Sequence, residues 1–366
     1  MNESLQPSEN EVGKKSGRFN KLINKVKLAF IPVLETEVRT PTKEQSEQVD
    51  AALANIGLYE IAKIKLLEKE YNLEHSHLDT IKEEEKKPDD VYFINITGAW
   101  GRGPEVEAEI KALACAMGKD GLELDAVSLP GHGETDNIPD GWNSENDFDF
   151  AADMVAAHIK EIKDREPDRK IVINAWSMGG VTALKLIAKY PELVDGVILI
   201  DTPVYPQNFK KLTLRFLLYE AQKIRSVKAE PAFDLKTKLP GLGIFLDRLR
   251  DRNKKNGIPL KDVLLKSAKS LSKIDLSKDG TLDKLEEVAK EKRIPINIIR
   301  GSNDFVIRHQ QTTRLQNDLQ SRGFDCELTQ IEATGHTMIA EQPVLCGEKI
   351  RKWLESKGLV SSNIKE

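Results

Sequence analysis

The chain has 366 residues, of which 39% are hydrophobic and 31% are charged, a balance typical of globular proteins with a solvated surface. This length accommodates one large α/β domain with additions, and the net charge of -4 gives no support for nucleic acid as a partner. The three cysteines form no C-x-x-C pair, so we expect buried free thiols. No apolar run approaches the ~20 residues of a membrane span, and no signal-peptide pattern is present, so the cytoplasm is the expected location.

Residues 1–88 are predicted to form an N-terminal extension with a disordered start followed by helices. Within it, residues 18–30 place apolar side chains on one helical face and lysines around them, the pattern of a basic amphipathic helix. Such a helix either makes a weak contact with an anionic membrane surface or docks on its own protein. The helical prediction continues from Pro41 to the pair His75 and His77, which we interpret as a solvated surface rather than a metal site.

From residue 91 onward, strand-like apolar runs alternate with helical patterns, which predicts a mostly parallel sheet covered by helices on both faces. The predicted strands are Val91–Ile96, Leu122–Ser128, Ile171–Asn174, Val197–Ile200, Ile294–Ile299 and Glu327–Ile331. The predicted helices are 105–118, 147–163, 179–190 and 342–355. The alternation stops over residues 203–285, where helical patterns predict a cap inserted between core segments 89–202 and 286–366.

Ser177 lies in the segment Asn174-Ala175-Trp176-Ser177-Met178-Gly179-Gly180, between a predicted buried strand and a predicted helix. A serine on such a sharp turn projects its hydroxyl above the sheet, and the first N–H groups of the helix point the same way. The turn needs small residues two before and two after the serine, because strand and helix nearly touch there. Ala175 and Gly179 meet that need, so we predict a nucleophile elbow.

A nucleophilic serine needs a base, and the base needs a carboxylate that fixes its tautomer. His336 is the predicted base, because it lies in a loop between the last predicted strand and the final helix, above the same sheet edge as Ser177. Asp304 is the predicted carboxylate, since it follows a strand directly and suits the chain order. Asp201, at the end of the preceding strand, is its rival, and the loser of the two could simply cap a helix.

Acyl transfer also needs N–H donors for the oxyanion. The segment Thr97-Gly98-Ala99-Trp100-Gly101 follows a predicted strand and is rich enough in glycine to approach a substrate closely. We therefore predict that the backbone N–H of Ala99 or Trp100 pairs with that of Met178, although the same glycines would also suit a tight turn. Trp100 and Trp176 are assigned to the substrate pocket.

Together these features resemble the α/β-hydrolase fold family, and in particular its serine esterases and lipases with a helical cap. The resemblance runs from about Val91 to Lys357 and includes the order of nucleophile, acid and base along the chain. The segment Leu129–Thr135 is similar to a turn of the family, which implies that His132 is structural and shapes the pocket wall. Two departures are Ala175, where the first glycine of the elbow is usual, and Thr97, where many members carry histidine.

The expected function is hydrolysis of a carboxylic ester or thioester through an acyl-enzyme on Ser177, with no metal or organic cofactor. Leucines and phenylalanines of the predicted cap suggest an apolar acyl group, although they could equally pack the cap onto the core. Two alternatives remain: an acyltransferase that uses the same acyl-enzyme, and a non-catalytic ligand-binding protein on this fold.

Overall fold

A computed structural model describes residues 43–55, 59–66, 68–87, 90–99, 101, 107–144, 146–208, 254–255, 258–304 and 306–361. The helices are α1 (Lys43–Asn55), α2 (Glu107–Met117), α3 (Asp147–Arg165), α4 (Met178–Lys189), α5 (Leu260–Lys273), α6 (Thr281–Glu291), α7 (His309–Ser321), α8 (Met338–Glu341) and α9 (Pro343–Ser356). The strands are β1 (Glu60–Leu66), β2 (Lys69–Asp79), β3 (Val91–Ile96), β4 (Glu123–Val127), β5 (Lys170–Trp176), β6 (Gly196–Ile200), β7 (Lys254–Lys255), β8 (Ile258–Pro259), β9 (Ile296–Gly301) and β10 (Cys326–Ile331). No helix among these residues is both long and apolar enough to cross a bilayer.

The main sheet has eight strands in the order β1-β2-β4-β3-β5-β6-β9-β10, and β7 pairs only with β8. Strands β3, β4, β5, β6, β9 and β10 run parallel to one another, so their carboxyl ends share one edge. Every residue of β3, β4 and β6 is buried, as expected for parallel strands covered on both faces. The predicted parallel sheet is therefore confirmed, and its strand ends form a common rim.

Two hydrophobic clusters cover the two faces of the sheet. On one face, apolar side chains of α3, α4, α6 and α7 pack against the strands. On the other face, α1, α2 and α9 provide the apolar side chains. This three-layer arrangement confirms the predicted fold class, and the three cysteines are buried and free as expected.

The prediction of helices from Pro41 to His77 is wrong beyond α1. Residues 60–79 form the β1–β2 hairpin, and β2 pairs antiparallel with β4, so the sheet begins well before the predicted boundary at residue 88. The physical reason is the alternation of apolar Ala62, Ile64 and Leu66 with Lys63 and Lys65, which suits an edge strand with one wet face.

The predicted cap is described only in part. Helix α5 agrees with the helical patterns predicted for this segment, and residues 209–253 lie outside the described residues. The predicted amphipathic helix at 18–30 lies outside them as well. Helix α6 crosses the predicted boundary at residue 285 and packs against α4 and α7, so it belongs to the layer that covers the sheet.

Candidate active site

Ser177 occupies a sharp turn between β5 and α4. Its backbone has φ 50° and ψ -115°, a conformation that a non-glycine residue rarely adopts and that a nucleophile elbow requires. The turn is fixed by the backbone N–H of Ser177, which donates to Ile200 O over 2.8 Å. A Cβ atom at Gly179 would lie 2.7 Å from Thr97 O and still closer to Ile96 O, so only glycine fits there.

The structure brings the three predicted catalytic side chains together above the rim of the sheet. The hydroxyl of Ser177 lies 3.2 Å from Nε2 of His336, and Nδ1 of His336 lies 3.0 Å from Oδ2 of Asp304. All three residues are buried, with Ser177 only 7% exposed. A hydrogen-bonded relay from a carboxylate through an imidazole to a hydroxyl can lower the barrier to nucleophilic attack by that hydroxyl.

Asp304 is oriented by the backbone that follows it. Its Oδ1 atom accepts hydrogen bonds from the N–H groups of Val306 over 2.6 Å and Ile307 over 3.0 Å. These bonds leave Oδ2 for the imidazole. The end of β9 also lies close to the loop after β10, since a Cβ atom at Gly301 would lie 2.6 Å from Thr334 O. This close packing of the end of β9 against the loop after β10 places Asp304 beside His336.

The loop of His336 is held from both sides. The Glu341 carboxylate accepts hydrogen bonds from the N–H of Gly335 and from the hydroxyl of Thr337, each over 3.0 Å. In addition, Trp176 Nε1 donates to the carbonyl of His336 over 3.2 Å, and the two rings lie 5.6 Å apart. The imidazole is therefore packed in place, and Trp176, a predicted pocket residue, borders it.

Asp201, the rival carboxylate, does not take the position beside Nδ1 of His336. Its Oδ1 accepts a hydrogen bond from the N–H of Gly301 over 3.3 Å. Carboxylate oxygens of Asp201 and Asp304 lie within 4.8 Å of each other, and burial together with the charge of Asp304 raises the pKa of Asp201 well above its usual range. The raised pKa favours the protonated form of Asp201 beside Asp304.

The predicted oxyanion donors come from two neighbouring segments. Met178 begins α4, and the first N–H groups of a helix have no acceptor within the helix. Ala99 follows β3 in a turn where Gly101 N–H donates to Gly98 O over 3.2 Å, and the Thr97 hydroxyl lies 3.3 Å from Val127 O. Threonine thus anchors the loop at the position where histidine is common. Trp100 lies outside the described residues.

His132 lies in the turn after β4. It takes part in neither the Asp304–His336 nor the His336–Ser177 hydrogen bond. Its Nδ1 atom bonds to Pro130 O over 3.0 Å, and Trp142 Nε1 donates to the same carbonyl over 3.0 Å. The Glu74 carboxylate, from β2, supports this turn by accepting hydrogen bonds from the Ser128 hydroxyl and the Glu134 N–H, each over 2.8 Å. Glu74 was not among the predicted site residues, because its segment was predicted to be helical and the pairing of β2 with β4 was not anticipated.

Asp201, Asp304 and His336 are spaced closely enough to hold a metal ion. However, His336 already uses Nδ1 toward Asp304 and Nε2 toward Ser177. Neither ring nitrogen has a lone pair left for a cation while this relay is formed, so the arrangement suits proton transfer better than metal binding.

The comparison with known families agrees with this geometry. A family model described as "Serine aminopeptidase, S33" matches residues 105–343. The chain belongs to this family of α/β-hydrolases. It is accordingly an enzyme of the hydrolase class, and the matched residues extend from the start of α2 to the start of α9.

Individual relatives of this S33-family chain include enzymes named as esterases. It is similar to an esterase of Mycobacterium tuberculosis, 24% identical over 238 residues, which cover 63% of this chain and 74% of that protein. It is also similar to a pimeloyl-(acyl-carrier protein) methyl ester esterase of Neisseria meningitidis, 30% identical over 118 residues, which cover 32% of each chain. The solved structure of a thermophilic esterase from Thermogutta terrifontis superposes with a TM-score of 0.52 at 17% identity, covering 82% of this chain and 99% of that chain, and supports the fold alone.

Proposed function

We propose that the protein hydrolyses carboxylic esters or thioesters through an acyl-enzyme on Ser177. The observation that carries the proposal is the continuous relay from Asp304 through His336 to the Ser177 hydroxyl, with 3.0 Å and 3.2 Å between the bonded atoms. The strained elbow at Ser177, which directs this hydroxyl toward His336, is a second support. Names of two relatives, an esterase and a methyl ester esterase, favour an ester as the substrate.

In the first half of the reaction, His336 Nε2 takes the proton of Ser177 as its Oγ atom attacks the substrate carbonyl. The resulting tetrahedral intermediate collapses when the imidazolium returns that proton to the leaving alkoxide or thiolate, which departs as alcohol or thiol. Throughout, Asp304 accepts the Nδ1–H and stabilises the positive imidazolium. In the second half, His336 deprotonates a water molecule, which attacks the acyl carbon and releases the acid and the free serine hydroxyl.

The negative oxygen of each tetrahedral intermediate requires donors that are already in place. We assign this role to the backbone N–H of Met178 and to that of Ala99 or Trp100. One such donor contributes about 2.7–4 kcal/mol of transition-state stabilisation in serine hydrolases. The Thr97 hydroxyl, which is within hydrogen-bonding distance of Val127 O, keeps the second donor loop in position.

Substrate hydrolysis across bond types is the direct test. The wild-type protein and Ser177→Ala are assayed with p-nitrophenyl esters from acetyl to palmitoyl, with matched acyl thioesters, and with aminoacyl anilides, which represent the substrate named in the family description. We expect turnover of esters or thioesters that is abolished in S177A. Faster cleavage of the anilides than of any ester would contradict the proposed substrate class.

An acyltransferase would use the same acyl-enzyme but pass it to an alcohol, amine or thiol. The same assay with added alcohol or amine acceptors separates the two reactions by their products. Free acid as the main product at all acceptor concentrations is expected for the hydrolase. Exclusive formation of the transfer product would contradict hydrolysis as the function.

A further inference from the structure

A second polar cluster lies on the sheet face beneath α3, away from the strand ends that carry Ser177, Asp304 and His336. It borders a cavity of about 530 Å³ whose lining includes His75, His77, Tyr92, Glu123, Asp125 and His158. The proposed hydrolysis uses none of these residues. We propose that His75, Asp125 and His158 bind a divalent transition-metal ion such as Zn²⁺.

Three separate segments bring these side chains together. In the antiparallel β2–β4 pair, His77 is opposite Asp125 and His75 is opposite Val127, so both imidazoles and the carboxylate share one face of the sheet. Helix α3 packs on that face and contributes His158, whose ring lies 4.8 Å from that of His75. The structure therefore corrects the expectation that His75 and His77 form a solvated helix surface.

The spacing of the donor atoms is close to that of a metal site. Oδ2 of Asp125 lies 2.7 Å from Nε2 of His158, and Oδ1 lies 3.4 Å from Nδ1 of His75. One donor atom from each of the three residues lies within 4.8 Å of the other two. Ligand atoms around tetrahedral Zn²⁺ lie roughly 3.3 Å apart, as follows from Zn–N bonds of about 2.0–2.1 Å. Small side-chain rotations are enough to reach that geometry.

His75 provides an independent indication of a ligand. Its Nδ1 atom is buried, is directed toward Asp125 and makes no hydrogen bond within the described structure. His75 as a whole is only 9% exposed. A buried polar nitrogen without a hydrogen bond costs free energy, and metal coordination by its lone pair would remove that cost.

Asp125 differs from the neighbouring acidic residues in the kind of side chain it pairs with. Glu123 is paired with Arg169, and Asp79 lies 2.6 Å from Lys86 Nζ. In the cluster of His77, Asp79 and Glu123, both carboxylates therefore already have a cationic side chain as partner. Across the described ranges, the ion-pair partners of Asp125 are all imidazoles. Imidazole and carboxylate ligands together suit Zn²⁺ and similar ions.

The three proposed ligands line the cavity, together with His77. The side chain of His77 is 40% exposed and its Nδ1 lies 2.9 Å from Asp125 Oδ1, so it stands between the three ligands and solvent. A metal ion here would join β2, β4 and α3. We therefore expect it to stabilise the docking of the N-terminal hairpin on the core.

Co²⁺ titration tests the proposal, because four-coordinate Co²⁺ gives intense visible absorption bands and replaces Zn²⁺ in such sites. The full chain, without an affinity tag and freed of metal with a chelator, is titrated with Co²⁺ alone and the bound ion is then displaced by Zn²⁺. We expect one equivalent to bind, with a rise of the melting temperature in Zn²⁺. His75→Ala and His158→Ala should weaken binding by at least about 10- to 100-fold.

His309→Ala is the matched control, because His309 begins α7 outside the cluster and its loss should leave the Co²⁺ affinity unchanged. Circular dichroism and ester turnover verify that each variant is folded. Asp125→Asn, which keeps the shape of the side chain, replaces any alanine variant that is not folded. Absence of stoichiometric Co²⁺ binding by the wild-type chain, or equal affinity in the folded His158→Ala protein, would overturn the proposal. Either result would leave the proposed hydrolysis at Ser177 unaffected.

Discussion

The Glu74 side chain accepts a hydrogen bond from the Ser128 hydroxyl over 2.8 Å, and this bond joins the N-terminal hairpin to the turn after β4. A second bond from the Glu134 N–H, also over 2.8 Å, reaches the other oxygen of the same carboxylate. The carboxylate also occupies the space that a side chain at Gly133 would need. The hairpin is therefore an integral part of the hydrolase core.

Glu74→Ala should lower the free energy of unfolding by about 2–4 kcal/mol, because it leaves a buried hydroxyl and a partly buried N–H without their acceptor. Chemical denaturation measures the change. Glu70→Ala on the same strand is the control, since Glu70 is exposed and its ion pair with Lys63 should contribute at most about 1 kcal/mol. Equal effects of the two substitutions would contradict the role of Glu74.

Asp304→Asn and Asp201→Asn should differ sharply in activity. The amide of the Asp304→Asn variant could no longer hold the Nδ1–H tautomer of His336, so we expect kcat to fall by about 10³- to 10⁴-fold. The Asp201→Asn variant would keep a donor toward Asp304, because the amide resembles the protonated acid, and asparagine tolerates the left-handed φ of 46° at this position. Its kcat should stay within a few-fold of wild type. Steady-state kinetics decide the point, and the reverse order would make Asp201 the carboxylate partner.

Gly179→Ala should impair both folding and catalysis. The new Cβ atom would lie 2.7 Å from Thr97 O, which belongs to the backbone and cannot rotate away. We expect a loss of about 3 kcal/mol in stability, together with a lower kcat, because Met178 and the Thr97 loop carry the proposed oxyanion donors. Thermal denaturation and ester kinetics test both effects, and a variant with wild-type kcat would show that the loop and helix can separate without cost.

Glu109 should make stability depend on pH. Burial in the first turn of α2 raises its pKa from 4.5 to about 7, so the folded state keeps a proton that the unfolded chain releases. Stability attributable to this group is therefore lost as the pH rises from 4.5 through about 7 and stays constant above that. We compare the free energy of unfolding of Glu109→Gln with that of wild type at about pH 4 and about pH 8. Between these pH values the difference should shift by about 3 kcal/mol in favour of the variant.

Denaturation of Glu109→Gln at both pH values measures this effect. Glu107→Gln, in the same helical turn but exposed, is the control for loss of a carboxylate at this end of α2. A stability difference between Glu109→Gln and wild type that is the same at both pH values would contradict the raised pKa.

The central strands and the elbow were predictable because burial on both faces and close backbone packing each require particular residue types within a short stretch of sequence. The mostly apolar run Val91–Ile96 forms β3, a strand that is covered on both faces. The small residues around Ser177 reflect the close packing of α4 on β3. The hairpin was not predictable in the same way. Ile61, Ile64 and Leu67 also fit a helical spacing, and the turn contains Glu68 at φ 63° rather than a glycine or asparagine.

Contacts between distant segments were also not predictable from the sequence. The support of the turn at Ser128 by Glu74 requires the pairing of β2 with β4, which no local pattern indicated. Likewise, His75 and Asp125 meet His158 only because α3 packs over the hairpin side of the sheet. The cytoplasmic location and the division into core and cap remain predictions.

Active-site labelling is the most direct test of Ser177 as the nucleophile. The full chain is treated with a fluorophosphonate, which reacts only with activated serines, and the modified peptide is identified by mass spectrometry. Ser356→Ala, at an exposed serine of α9, serves as the control beside Ser177→Ala and His336→Ala. We predict one adduct per chain, on Ser177, retained in S356A and lost in S177A and H336A. An adduct on another serine, or undiminished labelling of H336A, would contradict the account.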